Sequence, residues 1–263
     1  MEKLEHELWI VQAVNGALGP VVAAVMRALG RPVPAHGDLI PNYIVMAGLI
    51  VVVWTVVCLI ARRGLSVDNP GKLQIFFEDA ISATLSMMHD YIGDKAPRYL
   101  PIVWTMAVFI LTGNLMGLVP GLTSPTSNIN VTLGCALTVA VYYHIQGVKE
   151  QGIGPYLKHF AAPPGAPLFI APIMLPIEII SHLSRVLSLS LRLFGNIFGE
   201  DLVILILFSI IPFLVPLPMM FLGIITASLQ AFIFVLLTTI YLGGAVATEH
   251  EHNDHGEMVA GEV

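Results

Sequence analysis

The chain has 263 residues, 56% of them hydrophobic and only 11% charged, with a mean hydropathy of +0.81. A water-soluble domain carries about 25% charged residues, so the composition excludes an ordinary soluble protein and makes lipid the solvent for much of the chain. The net charge of −6, gathered largely in MEKLEHE and EHEHNDHGEMVAGEV at the two ends, argues against a nucleic-acid partner, because no basic patch exists to neutralise phosphates.

The acidic start lacks a basic n-region and a small-residue cleavage site, so no removable signal peptide is expected. Residues 8–29 are apolar but interrupted by Gln12, Asn15, Gly16, Gly19, Pro20 and Arg27. That pattern predicts a peripheral helix or a broken helical pair lying on the membrane, within an N-terminal segment 1–39 on the outer side. The membrane domain then runs over 40–248. Its first span, 41–61, is uncharged and stops at Arg62 and Arg63, a cationic anchor.

Over 70–94 the apolar positions Leu73, Phe76, Phe77, Ala80, Ile81, Leu85 and Met88 recur at helical spacing among Lys72, Glu78, Asp79, Asp90 and Asp94. This is the pattern of an amphipathic interfacial helix. Spans follow at 99–119 and 129–148, joined by VPGLTSPTSNIN, whose Pro, Gly and Asn suit a tight connection. Two long apolar stretches, 168–211 and 217–248, close the domain around the Pro-rich IPFLVPLP. The first is longer than a perpendicular crossing needs, so it must tilt, bend or run along the interface. The predicted fold is therefore all-α and polytopic, with about five membrane helices plus one interfacial helix.

Arg62, Arg63 and Lys72 share one loop and Lys149 and Lys158 another, whereas 120–128 and 211–218 hold no Lys or Arg. The positive-inside rule places the basic loops in the cytoplasm, with the N-terminus outside and the acidic tail 249–263 inside. Cys58 and Cys135 lie in apolar segments without CxxC spacing and read as two buried thiols rather than a disulfide, metal or redox pair. His250, His252 and His255 in the tail have metal-binding chemistry, but a solvated tail accounts for them better. No metal or cofactor is assigned.

The segment LPIEIISHLSRVLSLSLRLFGNIFGEDLVIL carries Glu178, His182, Arg185, Arg192, Asn196, Glu200 and Asp201 among lipid-compatible residues. At about 100° per residue, positions 178, 182, 185, 192, 196 and 200 fall within about 80° of one another. Asp201 points away from this stripe, and Ser181 and Ser188 flank it. The stripe runs about 33 Å, comparable with the hydrocarbon thickness. A charge near the bilayer centre costs roughly 2.5–3.5 kcal/mol on insertion scales. The outer members have a structural alternative: Glu178 and Arg185 as an ion pair near one interface, Glu200 and Asp201 in water at the other. Arg192, mid-stripe between LSLS and LFGN, has no such relief and reads as functional.

A guanidinium holds its proton under ordinary conditions, so an arginine cannot itself relay protons. It favours the ionised form of a nearby carboxylate and makes that group release its proton. A fixed cation between two wet polar paths blocks a direct leak, and a mobile carboxylate must carry the proton past it. The chain has no isolated mid-membrane carboxylate free to move, which assigns that carrier to another chain. In ITASLQAFIFVLLTTIYL, Thr226, Gln230 and Tyr241 occupy roughly one face. Gln230 suits either interhelical packing or the orientation of Arg192.

These residues resemble subunit a of the F-type ATP synthase, the membrane stator component beside the rotating c-ring. SLSLRLFGNIFGEDL resembles the arginine-helix motif of that family, LQAFIFVLLTTIYL its final helix, and NLMGLVPG with TSNINVT the exit of one span and the start of the next. The resemblance covers about residues 40–248. It implies that the last two helices form a strongly tilted hairpin wrapping the ring. Arg192 matches the essential stator arginine that meets each ring carboxylate. Asn196 and Asp201, with Glu200, match the half-channel open to the outside. Glu178 matches the acid of the cytoplasmic half-channel, with Ser181, Ser184 and Ser188 as lining, and Gln230 matches the final-helix glutamine near the arginine. Some members carry a histidine seven residues before that glutamine, where this chain has Gly223.

The resemblance implies a proton-translocating subunit of the H+-transporting complex in the bacterial inner membrane, not an enzyme by itself. Its implied partners are the c-ring, the subunit b peripheral stalk and the remainder of the complex. No GxxxxGK[ST] motif occurs, so ATP chemistry belongs to those partners. The alternatives are a sodium-coupled version of the same subunit, a self-contained secondary transporter, for which no internal duplication is found, and a membrane scaffold.

Overall fold

The computed structural model describes residues 9–30, 39–66, 69–119, 121–156, 171–210 and 216–246. Among these, the protein is all-α and has no strand. The long helices are α1 (Trp9–Ala28), α2 (Asn42–Arg63), α3 (Lys72–Ile92), α4 (Ala96–Met116), α5 (Ile129–Gln151), α6 (Ala171–Ile210) and α7 (Pro216–Val246). The tail histidines, Lys158, the inter-helix segment 211–215 and the first eight residues lie outside the described residues.

Helix ends follow local chemistry. Helix α2 finishes on Arg62 and Arg63, and the Gly64 N–H donates to the Ala61 carbonyl; terminal cations complement the unsatisfied carbonyls. Helix α3 stops at Gly93, whose φ of 68° favours glycine, and a 3-10 turn over Gly93–Lys95 leads into α4. Pro101 and Pro176 lie inside α4 and α6. Each removes one backbone donor, yet both helices continue. Helix α1 also runs through Pro20 as one helix, so the broken-pair alternative does not describe it.

Among the described residues, five helical stretches are long and apolar enough to cross a membrane: Trp9–Ala28, Asn42–Arg63, Lys72–Met116, Ile129–Gln151 and Leu217–Val246. They differ from the predicted set. Helix α1 joins them, and the α3–α4 run counts as one stretch. The 40-residue α6, which carries Glu178, Arg185, Arg192, Glu200 and Asp201, is not among them. Exposed faces are largely apolar, as with Val51, Val52, Val56 and Ile60 on α2 and Ile179, Ile180, Leu183 and Leu187 on α6. Soluble proteins do not leave apolar surface on this scale. The chain is an integral membrane protein. Of the two thiols, Cys135 is buried as predicted, but Cys58 is exposed on α2, where an apolar thiol suits lipid as well as a core.

The chain divides into two compact units, and α6 passes from one to the other after Leu193. One unit comprises Met1–Leu65, Phe109–Val131 and Phe194–Ser228. Its core gathers Val11, Val45, Met46, Ile50 and Met116. The awkward Asn15 of α1 is satisfied there: it accepts from the Ile40 N–H at 2.9 Å and donates to the Ile40 carbonyl at 3.1 Å. The Trp54 indole N–H donates to the Thr112 hydroxyl at 2.8 Å. The other unit comprises Ser66–Val108, Thr132–Leu193 and Leu229–Val263. Its buried side chains include Met88, Tyr99, Tyr143, Leu189, Phe234 and Leu242. Glu150 on α5 receives Lys95 at 3.3 Å and also Arg98, joining the ends of α4 and α5 by charge.

Candidate functional site

Helix α6 buries Leu189, Leu193 and Ile197, one residue every four, which is the spacing of a single helix face. Arg192 therefore lies off the buried face and is exposed, as are Ser184, Ser188 and Asn196. Ser181 is half-buried. A guanidinium exposed on a helix with so apolar a surface needs a counter-charge or water to meet it.

Glu178, Arg192 and Gln230 all belong to the second unit. Glu178 does not form the ion pair with Arg185 that its spacing allowed. Its Oε1 lies 3.1 Å from His182 Nε2, while the Arg185 guanidinium stands 5.2 Å above the Tyr241 ring, a cation–π arrangement. A cavity of about 210 Å³ opens here, lined by Gln151, Tyr156, Glu178, His182, Arg185 and Tyr241. Gln230 is 1% exposed, so its amide is packed within the protein rather than turned to lipid. Ser190, two residues before the arginine, is buried and bonds Thr132 of α5 at 3.2 Å.

Asn196, Glu200 and Asp201 belong to the first unit. The two adjacent carboxylates diverge, as a helical rotation of about 100° requires. Glu200 reaches α7, where the Thr226 hydroxyl donates to its Oε2 at 3.0 Å. This approach depends on Gly223: a Cβ at that position would overlap the Glu200 carboxylate. Asn196, Glu200, Gly223 and Thr226 line a second cavity of about 300 Å³. Asp201 turns to the end of α4 instead. Its Oδ1 lies 3.3 Å from where a Cβ on Gly117 would stand, and the Ser127 hydroxyl is its hydrogen-bonding neighbour.

The helical wheel thus described Asp201 correctly as off the stripe, and the α4–α5 connection supplies its surroundings. Sequence reasoning treated VPGLTSPTSNIN as a turn only. Ser124 and Thr126 share a hydrogen bond of 2.7 Å, Thr126 donates to Asn114 Oδ1 at 2.7 Å, and Asn114 donates to the Ala227 carbonyl at 3.4 Å. This buried row ties the turn to α4 and α7. Its signal was the concentration of hydroxyls in an uncharged loop. Tyr143 and His144 were also missed; the signal was YYH, three polar aromatics inside a span.

The sequence that carries this arrangement matches known proteins over most of its length. The sequence profile of the family described as ATP synthase A chain matches residues 43–243. The chain belongs to the ATP synthase A chain family.

The ATP synthase subunit a of Geotalea daltonii is 46% identical over 202 residues, covering 77% of this chain and 86% of that protein. The subunit a of Citrifermentans bemidjiense is 45% identical over 228 residues, covering 87% and 94%. That of Campylobacter jejuni strain RM1221 is 41% identical over 213 residues, covering 80% and 92%. As a member of the ATP synthase A chain family, the protein is a membrane subunit of a larger complex and serves ATP synthesis and ion transport. Every site residue from Glu178 to Gln230 falls within the family match.

Proposed function

We propose that this chain passes protons through two offset half-channels at the face of a rotating c-ring, coupling proton flow to ring rotation and ATP synthesis. Arg192 separates the half-channels. Protons enter from outside beside Asn196, Glu200 and Asp201 and load a ring carboxylate. After rotation they leave beside Glu178, with Ser181, Ser184 and Ser188 lining the route and Gln230 packed near the arginine. The ring carboxylate gives up its proton because the guanidinium favours the charged form. Each charge moved through 100 mV supplies about 2.3 kcal/mol.

The observation that carries this reading is the exposure of Arg192, fourteen residues after Glu178 and eight before Glu200 on one unbroken helix. An exposed cation there suits a carboxylate brought by another chain. Basic residues at the ends of α2 and α5, with Lys95 and Arg98 at the start of α4, support a cytoplasmic C-terminus and an outer N-terminus in a bacterial inner membrane. The c-ring and the subunit b stalk are the partners, and the last two helices are a tilted hairpin along the ring. ATP chemistry is done by other subunits.

The test is Arg192→Ala in the whole complex in inverted membrane vesicles. The complex should still copurify with a ring of small two-helix, carboxylate-bearing subunits, while ATP-driven proton pumping disappears. Pumping at the wild-type rate would refute the reading, and pumping that requires sodium and survives a protonophore would replace protons by sodium.

A further inference from the structure

His182 has both ring nitrogens engaged. Nε2 lies 3.1 Å from Glu178 Oε1, and Nδ1 lies 2.9 Å from the Tyr143 hydroxyl. An ionised carboxylate only accepts hydrogen bonds, so Nε2 carries the proton; in the neutral ring Nδ1 then accepts from the Tyr143 O–H. Exposure rises along this row: Tyr143 is 2% exposed, the His182 side chain 15% and the Glu178 side chain 31%. The row ends on the cavity of about 210 Å³, room for several waters at about 30 Å³ each. The other charged or titratable groups facing His182 are Arg185 from its own helix, His144 from α5, Tyr241 from α7, and Tyr156. The His144 ring stands 4.9 Å away, with its Nδ1–H donating to the Ala140 carbonyl at 2.8 Å.

We propose that His182 relays the departing proton from Tyr143 to Glu178. When a proton reaches the Tyr143 oxygen, the original phenolic O–H bond breaks as an N–H bond forms at His182 Nδ1, and Tyr143 remains a neutral phenol. The imidazolium then loses its Nε2 proton, an O–H bond forms on Glu178, and Glu178 releases that proton to cavity water. Rotation of the ring then turns Nδ1–H toward the cavity, where water takes that proton as another is returned to Nε2, and the ring swings back in its Nε2–H form. One proton crosses, and each group returns to its starting charge, with Glu178 again a carboxylate. The inference rests on the reading of Glu178 as the exit carboxylate.

The experiment measures coupled ATP hydrolysis by the purified whole complex in detergent, where no gradient exists for an added base to dissipate. His182→Ala and His182→Gln should assemble normally and turn over about tenfold more slowly or worse, and added imidazole should restore much of the His182→Ala rate. Wild-type turnover in both variants overturns the relay. So does full activity of His182→Gln with no imidazole rescue of His182→Ala, the signature of a positioning residue. If His182→Ala fails to assemble, His182→Gln decides alone: slow turnover supports the relay and wild-type turnover overturns it. Glu178→Gln measured alongside separates the two readings. Loss of its activity beside active His182 variants removes only the relay, whereas wild-type activity in Glu178→Gln removes the exit carboxylate itself.

Discussion

Around Glu178 the carboxylate meets an imidazole at 3.1 Å and a cavity walled by Tyr156, Arg185 and Tyr241. Around Glu200 and Asp201 no imidazole or cation is among the described bonding partners; a hydroxyl serves each, and each sits against a glycine of another segment, Gly223 and Gly117 respectively. Glycines in the two units therefore do different work. In the Glu178 unit a Cβ at Gly243 would lie 2.6 Å from the Tyr91 carbonyl oxygen, and one at Gly147 would lie 2.5 Å from the Tyr156 ring and 2.9 Å from the Ala245 carbonyl oxygen. In the Glu200 unit a Cβ at Gly223 would meet the Glu200 carboxylate first, and one at Gly117 would stand 3.1 Å from the Ser124 Cβ and 3.3 Å from Asp201 Oδ1. The lesson is that one small residue type maintains helix packing in one unit and seats an acid in the other.

Substitutions turn this contrast into measurements. The largest effect is expected for Gly243→Leu, because the Tyr91 carbonyl cannot swing aside. Overpacking at the top of its usual range costs about 3 kcal/mol, roughly a hundredfold in the folded population, so little subunit should be recovered in the purified complex. Normal recovery would break the contrast from the packing side.

Gly223→Ala should behave differently. The Glu200 side chain can rotate away, taking the carboxylate from Thr226, and the complex should assemble at wild-type levels. A hydrogen bond to a charged group contributes about 1.5–3 kcal/mol, so vesicle proton pumping should fall about tenfold. Poor assembly with normal pumping per complex would reverse the assignment of this glycine. The smallest effect belongs to Thr132→Val, which removes the buried Thr132–Ser190 bond. A melting measurement on the complex should register about 1 kcal/mol of lost stability with pumping unchanged. A pumping defect would show that Ser190 positions the arginine beyond it.

Much of this architecture was legible residue by residue. Arg62 and Arg63 marked the end of α2, and the uncharged run before them is a helix over Asn42–Arg63. The amphipathic run near 70–94 corresponds to α3 at Lys72–Ile92. Less legible was α1, where Asn15 and Pro20 looked like interruptions. The Asn15 amide is satisfied by Ile40, twenty-five residues away, a pairing that no local pattern reveals. Glu178 and Arg185 had suitable spacing for a pair, but His182 and Tyr241 are their neighbours. Tyr143 was absent from the expected site because its importance depends on packing against a helix thirty-nine positions further on.

By itself, the sequence determined the solvent, the helices and the placement of Arg192 among polar groups on one helix. Each of these depends on local composition or on the period of a single helix. Only tertiary structure decided what each polar group meets: Thr226 and Gly223 for Glu200, Gly117 and Ser127 for Asp201, His182 and its Tyr143 contact for Glu178. The helical period sets the direction in which a side chain leaves its own axis. The identity of the group waiting there depends on which distant segments pack against that face.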